Sequence, residues 1–280
     1  MSAPKIKRLA AFASGGSGGN PAGVMLSREL PSPPEMQTIA TEVGYSETAF
    51  AASQGDTWRV RYFAPQMEVP FCGHATIALG AALAMAHGDE TYPLQLNDTE
   101  ITVRGWRDGP HYRAALNSPP TRSGPAEPGL VEDALALFGY THDDLDQRIP
   151  PALTHAGADH LLIALRDRAA LAAMTYNQPR GKRLMQQAGL ITVNLVHAEN
   201  DRVFHARNPF AAGGVYEDPA TGAAAAAFAG YLRDLRWPHG GNFTITQGAD
   251  MGAPSAIEVR LDNIEGTSVE VSGSVRTITP

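Results

Sequence analysis

Two short stretches place acidic, thiol or imidazole side chains just before runs of small residues. One reads E-V-P-F-C-G-H-A-T from Glu68 and brings Cys72 and His74 to the start of a predicted helix. The other reads E-D-P-A-T-G from Glu217 and brings Asp218 to the start of a second helix. The first N–H groups of a helix have no intrahelical partner and carry a partial positive charge. Each helix start is therefore a candidate site for a carboxylate or another anion.

Each of these side chains also has an ordinary structural interpretation. His74 fits a hydrogen-bonded core or capping residue, and Asp218 fits an acidic residue that favours the helix dipole. Cys72 fits a small buried hydrophobe, although a thiolate at a helix start has a lowered pKa and could act as nucleophile or base. The pattern alone leaves both interpretations open for each residue.

Glu47 is a further candidate, within the segment Y-S-E-T-A-F at 45–50. On a predicted strand it shares a face with Tyr45 and Ala49. A carboxylate in this position lies either at a solvated strand end or in a cleft. In a cleft, desolvation would raise its pKa and make it a useful general acid or base.

The two stretches are copies of one pattern. An offset of 219 − 70 = 149 aligns, without gaps, Pro70 with Pro219, Glu68 with Glu217, Gly73 with Gly222, Ala75 with Ala224 and Leu83 with Leu232. The copies differ where Cys72 falls on Thr221 and where His74 falls on Ala223. A match of this kind indicates two copies of one structural unit.

The elements that must position these residues are one buried helix and many short strands in each half. The helices predicted over 73–87 and 221–235 are apolar nearly all round, so each must be wrapped, most simply by its own curved sheet. This predicts an α+β protein with an N-terminal domain at 1–117, a Pro-rich linker at 118–128 and a C-terminal domain at 129–280. The last strand of the second domain is a candidate to return to the first.

The amino-acid composition and the net charge exclude several classes of function. Of 280 residues, 43% are hydrophobic and 18% charged, which is typical of a globular protein with a substantial core. The net charge of -7, without a basic run, argues against nucleic acid or an anionic membrane as partner. The single cysteine excludes an intramolecular disulfide and a metal cluster of several cysteines. The nine histidines are scattered, so no metal site is predicted, and without a ~20-residue apolar segment we expect a cytoplasmic protein.

Five motifs together resemble a known family. They are N-P-A-G from Asn20, S-E-T-A-F from Ser46, E-V-P-F-C-G-H-A-T from Glu68, E-D-P-A-T-G from Glu217 and Q-G-A-D-M-G from Gln247. Their order and spacing over nearly the whole chain resemble the phenazine-biosynthesis, PhzF-like, isomerases. The resemblance implies a diaminopimelate-epimerase-like fold: two pseudo-symmetric domains, each a curved, barrel-like mixed sheet around a central helix, with an active site where both helix starts converge. It also implies a homodimer without a cofactor that acts on a small carboxylated molecule.

The resemblance also implies residue roles. The Glu matching Glu47 moves a proton between carbons of a dihydro-hydroxyanthranilate, while those matching His74 and Asp218 take part in catalysis by holding and polarising the substrate. The remaining implied substrate-binding residues are Asn20, Cys72, Gly73, Gly222 and Ala223. The sequence departs from the family pattern at Ala223, where a Ser is usual, and at Ala253, where an Arg is usual.

Two alternatives stay open at this point. Related racemases and epimerases use two opposed cysteines; here Cys72 is present but Thr221 stands at the second position. A racemase could still pair Cys72 with Glu47. The other alternative is a non-catalytic member of the fold that binds a small molecule or a protein.

Overall fold

The computed structural model describes residues 5–279. These residues form two compact units, one made of residues 5–117 together with 272–279 and the other of residues 118–271. None of the helices within residues 5–279 is both long enough and apolar enough to cross a membrane.

The elements of the two units follow a similar order along the chain, but the second unit has two more α-helices. The first unit contains β1 (Lys7–Ala13), β2 (Asn20–Ser27), α1 (Pro33–Val43), β3 (Glu47–Gln54), β4 (Thr57–Phe63), β5 (Glu68–Val69), α2 (Gly73–His87), β6 (Glu90–Gln95), β7 (Glu100–Asp108) and β8 (His111–Asn117). The second contains β9 (Arg122–Pro125), α3 (Pro128–Phe138), β10 (Ala152–His155), β11 (Asp159–Ala164), α4 (Arg168–Ala172), α5 (Gln178–Gln187), β12 (Thr192–Ala198), β13 (Val203–Pro209), β14 (Glu217–Asp218), α6 (Gly222–Asp234), β15 (Asn242–Gln247) and β16 (Ser255–Arg260). β17 (Glu270–Thr277) crosses from the second unit into the first.

The strands of the first unit form a closed ring around α2. Antiparallel pairs β1–β2, β3–β4, β6–β7 and β7–β8 alternate with the parallel pairs β2–β3 and β4–β6. β17 closes the ring because it pairs with both β1 and β8. The helix packs against strands on every side, and its residues from His74 to Ala84 are buried.

Small residues allow α2 to lie this close to the sheet. A Cβ at Gly80 would lie 2.6 Å from Val103 Cγ2, and a Cβ at Gly105 would lie 2.1 Å from the Gly80 carbonyl oxygen. Helix and strand β7 therefore touch backbone to backbone, and only glycine fits at this crossing. On the outer face of the sheet, α1 packs Met36 against Phe50.

The second unit repeats this order of pairings. β10–β11, β12–β13 and β15–β16 are antiparallel, while β11–β12 and β13–β15 are parallel. Its buried helix α6 packs against β9, β10, β11 and β16, and a separate core forms under α3 and α5. The predicted α+β class, the pseudo-symmetry and the sheet-wrapped helix in each half are confirmed.

One motif lies within a strand, and one local prediction was wrong. The motif at Asn20–Gly23 is part of β2, where Asn20 is opposite Ala11 and Pro21 is opposite Ala10. The segment 118–128, expected to be a linker, belongs to the second unit and contains β9, which pairs with β10. Its prolines remove N–H donors without preventing a four-residue strand.

Candidate functional site

The start of α2 brings together the acid, thiol and imidazole that the sequence singled out. Glu47 is the first residue of β3, Cys72 immediately precedes α2, and His74 is its second residue. The His74 Nε2 atom lies 3.4 Å from Glu47 Oε2 and 3.3 Å from Ser46 Oγ. The Cys72 Sγ atom lies 3.3 Å from His74 Nδ1 and 4.0 Å from Nε2. We call Glu47, Cys72 and His74 the Glu47 cluster.

The Glu47 cluster is mostly buried but reachable. The side chain of Glu47 is 17% exposed and that of His74 is 9% exposed. A neutral imidazole can donate from Nε2 to the carboxylate while Nδ1 accepts from the thiol, and an imidazolium can donate to the carboxylate from the same nitrogen. The arrangement therefore holds the carboxylate in one orientation at a point that a small molecule can reach.

Buried hydroxyl groups fix the turn that carries Cys72. The Thr76 Oγ1 donates to the Cys72 carbonyl oxygen at 2.7 Å, and the Tyr62 hydroxyl lies 2.7 Å from the Thr76 oxygen. Because Thr76 uses its hydrogen on Cys72, Tyr62 is the donor of the second bond. Burial raises the pKa of Tyr62, so it remains a neutral donor.

Gly73 and Asn20 lie at the same end of this unit. A Cβ added at Gly73 would meet nothing within 4 Å, so the space beside this residue is open and the fold does not require glycine there. Because β2 and β3 are parallel with Ala22 opposite Glu47, Asn20 lies on the same face of the sheet as Glu47. Asn20 is buried, with 2% of its surface exposed.

The start of α6 carries the remaining predicted residues. Asp218 ends β14, Gly222 and Ala223 are the first residues of α6, and Thr221 precedes them. The Thr221 Oγ1 donates to Asp218 Oδ2 at 2.5 Å. The side chain of Gln247, buried at the end of β15, contacts both Asp218 and Thr221. The predicted site residues thus fall into two groups, one at the helix start of each unit.

Sequence reasoning named Gln247 only as part of a motif, without a role, and missed the two arginines that bind the repeated glutamates. Arg61 forms a two-bond pair with Glu68, and Arg207 forms one with Glu217. The two glutamates were visible as anchors of the repeat at an offset of 149, but the arginines differ by 207 − 61 = 146. An ungapped comparison cannot find partners whose connecting loop differs in length.

The Glu47 cluster also offers three different metal donors. A carboxylate oxygen, a thiol sulfur and an imidazole nitrogen lie within 4.8 Å of one another. Zinc accepts such a mixed set. The sequence predicted no metal site and gave no sign of this grouping, because Glu47 lies far from the other two residues along the chain.

Comparison with known proteins decides the family. The model of the phenazine biosynthesis-like (PhzC-PhzF) family matches residues 9–279. The chain belongs to this family. It is 32% identical over 275 residues to an uncharacterized isomerase of Deinococcus radiodurans, covering 95% of this chain and 89% of that protein. It is also 32% identical over 274 residues to the trans-2,3-dihydro-3-hydroxyanthranilate isomerase of Pseudomonas aeruginosa, covering 94% and 93% respectively. This PhzF-family protein is an isomerase.

Solved structures agree on the fold. A Bacillus anthracis PhzF-family protein superposes with a TM-score of 0.85 at 20% identity, covering 100% of this chain and 98% of that one. A probable proline racemase from Agrobacterium radiobacter superposes with a TM-score of 0.66 at 12% identity, covering 99% and 91%. The diaminopimelate-epimerase-like fold expected from the motifs is confirmed.

Proposed function

We propose that this PhzF-family isomerase moves a proton between two carbons of a small carboxylated substrate, with Glu47 as the only proton carrier. The observation that carries the proposal is the contact of Glu47 Oε2 with His74 Nε2, 3.4 Å apart at an anion-binding helix start. A carboxylate held by an imidazole is a suitable general base and, once protonated, a suitable general acid.

The proposed reaction conserves atoms and electrons without an added reagent. A substrate C–H bond breaks, its proton joins the Glu47 carboxylate, and its electron pair spreads into the conjugated system that ends in the substrate carboxylate. Glu47 then returns the proton to a second carbon. The N–H groups at the start of α2, near Gly73, stabilise the charge that develops on the substrate carboxylate.

Distances within the cluster disfavour the alternative racemase that pairs Cys72 with Glu47. Two bases acting on opposite faces of one carbon must each lie about 3–3.5 Å from it, hence about 6–7 Å apart. The Cys72 and Glu47 donor atoms lie within 4.8 Å of each other. Thr221 stands at the second cysteine position of the related racemases, and its hydroxyl is not ionised near neutral pH.

We assign substrate-holding roles to His74, Asp218, Gly222, Asn20 and Ala223, as the family resemblance implies. The substrate we propose is trans-2,3-dihydro-3-hydroxyanthranilate or a close analogue, because a relative of 32% identity is named for it. Homodimer formation and a cytoplasmic location stay predictions.

Turnover of trans-2,3-dihydro-3-hydroxyanthranilate in D2O tests the proposal, with deuterium uptake into the product followed by NMR. We expect Glu47→Gln to lower kcat by roughly 10²–10⁴-fold, the usual contribution of a general acid–base group, while substrate binding changes little. Glu42→Gln is the matched control, since it makes the same change at an exposed residue of α1.

The two parts of the proposal fail separately. Full activity of Glu47→Gln would overturn the assignment of the base. Absence of turnover by the unaltered protein would overturn the substrate, and binding without any deuterium uptake would favour a non-catalytic member of the fold.

A further inference from the structure

Gln247 connects the end of β15 to the start of α6 through three hydrogen bonds. Its Oε1 accepts from the Thr221 N–H at 3.1 Å. Its Nε2 donates to the Asp218 carbonyl oxygen at 2.7 Å and to Thr221 Oγ1 at 3.0 Å. The residue is 1% exposed, so these bonds form away from solvent.

The direction of each hydrogen bond follows from the number of hydrogens. Thr221 has one hydroxyl hydrogen and donates it to Asp218 Oδ2, so its oxygen must accept from Gln247. A side chain at position 247 must therefore supply two donors and one acceptor at once. An amide does this, whereas a carboxylate lacks the donors and an aliphatic side chain lacks all three.

We infer that Gln247, acting through Thr221, is the residue that positions the Asp218 carboxylate in the isomerase. This inference rests on the proposed function, which gives Asp218 its role on the substrate. Because Gln247 uses the Thr221 N–H, anion binding at this helix start relies on the N–H groups that follow Thr221.

The backbone around the amide supports the same role. Asp218 is paired with Asn208 of β13, and β13 is in turn the parallel neighbour of β15. Gly248 has φ +72°, and a Cβ there would lie 2.4 Å from the Ala253 carbonyl oxygen and 2.7 Å from that of Pro219. The turn that carries Asp218 is thus held against β13 on one side and against Gln247–Gly248 on the other.

The position in the first unit that is equivalent to Gln247 holds a side chain that forms no such hydrogen bonds. Arg61 and Arg207 correspond, so the offset of 207 − 61 = 146 places Val60 on Ala206. In the second unit, Ala206 is opposite Gln247. In the first unit, Arg59 is opposite Gln95 on a parallel strand, so the next residues, Val60 and Leu96, lie beside each other. Leu96 is buried, with 2% of its surface exposed. Leucine is therefore a side chain that this place in the fold accommodates.

A double-mutant cycle on turnover of trans-2,3-dihydro-3-hydroxyanthranilate tests the inference. We expect Gln247→Leu and Thr221→Val each to lower kcat/KM about 10–100-fold, and Thr221→Ser, which keeps the hydroxyl, to stay within about threefold of the unaltered protein. Asp218→Asn should lower kcat/KM on its own, and adding Gln247→Leu to it should cause little further loss. Gln186→Leu, at an exposed amide of α5, is the matched control and should leave kcat/KM unchanged.

A purely structural role would instead give losses that add across the cycle, and that result would overturn the inference. If Gln247→Leu does not fold, the Thr221→Val and Thr221→Ser pair carries the same test, since valine differs from threonine only by a methyl in place of the hydroxyl.

Hydrogen exchange separates this inference from the proposed function. If the unaltered protein does not turn over the compound, the proposed substrate is wrong, while exchange of the Thr221 N–H still tests the positioning. We expect Gln247→Leu to speed that exchange at least about tenfold and Gln186→Leu to leave it unchanged. Unchanged exchange in Gln247→Leu would overturn the inference.

Discussion

The two helix starts have the same backbone arrangement, but the side chains around them can do different chemistry. Each helix follows a two-residue strand whose glutamate is bound by an arginine: Arg61 with Glu68 before α2, and Arg207 with Glu217 before α6, both at 2.5 Å. The same kind of Arg–Glu ion pair thus holds the segment that precedes each buried helix.

The side chains around this shared frame differ in kind. Arg61 is opposite Phe50 and Arg207 is opposite Leu195, an offset of 195 − 50 = 145. Adding 145 to the position of Glu47 gives Thr192, which likewise begins its strand. A hydroxyl that does not titrate therefore stands where the first unit has the proposed base.

Thr192 belongs to a buried network of neutral groups. Its hydroxyl lies 2.7 Å from His160 Nδ1 and donates to Asn208 Oδ1 at 3.0 Å. Asn208 donates to Asn194, which in turn donates to the carbonyl oxygen of Ala224 in the first turn of α6. The first unit therefore carries groups that can move a proton, and the second carries neutral groups that fix its helix start.

The largest expected difference between the halves concerns the two ion pairs. Side-chain exposure is 8% and 2% for Arg207 and Glu217, against 20% and 26% for Arg61 and Glu68. We expect Glu217→Gln to lower the free energy of unfolding by about 3–5 kcal/mol, because it leaves a buried guanidinium unpaired. Glu68→Gln should cost less than about 1 kcal/mol. Chemical denaturation measures both, and equal losses would contradict the distinction.

The neutral network of the second unit should make stability depend on pH. Burial lowers the pKa of His160 to about 4. The unfolded chain takes up its proton near pH 6.5 and the folded protein only near pH 4, so stability is full above pH 6.5 and is lost as pH falls toward 4. The loss reaches up to about 3 kcal/mol.

His160→Asn should remove most of this pH dependence, because an amide can still donate to Thr192 but does not titrate. His111→Asn, at an exposed histidine, is the control and should leave it unchanged. Denaturation at pH 7 and pH 4.5 measures the difference. An unaltered slope in His160→Asn would show that other groups are responsible.

Gly73→Ala tests whether the first helix start binds substrate through its backbone. The added methyl meets no protein atom, so the melting temperature should hold. We expect kcat/KM to fall about tenfold, equivalent to about 1.4 kcal/mol, because the methyl occupies space beside the N–H. Gly129→Ala, also with open space and also in a first helical turn, is the control. Full activity of Gly73→Ala would place the substrate elsewhere.

Cys72→Ala should have the smallest effect. The proposed proton transfer does not use the thiol, so we expect kcat/KM to stay within about threefold. A loss of 10²-fold or more in kcat/KM is the size expected when a catalytic base is removed, and it would show that the thiol takes part in the reaction.

Much of the fold could be predicted because it depends on local pattern. The ends of α2 were predicted correctly at Gly73 and His87, since the run of small residues starts after a proline and a glycine follows it. The repeat was found because Glu, Pro and Gly are distinctive at fixed spacing. The strand β9 was missed because four prolines between 118 and 128 resemble a linker.

The side-chain contacts of the site were only partly predictable. His74 and Cys72 are neighbours in sequence, but their contact with Glu47 depends on how β3 lies beside the start of α2. Gln247 was recognised only as part of a motif, because its partners Asp218 and Thr221 are brought to it by the parallel pairing of β13 and β15. Register between distant strands leaves no periodic signal in the sequence.

Because β17 belongs to the first unit but follows the second in the chain, it affects the order in which the units can fold during synthesis. The ring around α2 needs β17 between β8 and β1, yet its first residue in that unit, Ser272, is made 272 − 117 = 155 residues after β8 ends at Asn117. Until then β1 and β8 present unpaired edges, while the contiguous second unit can already fold. Domains usually fold in the order in which they are made. Here the ring of the unit that carries the proposed base can close only after the whole of the second unit has been synthesised.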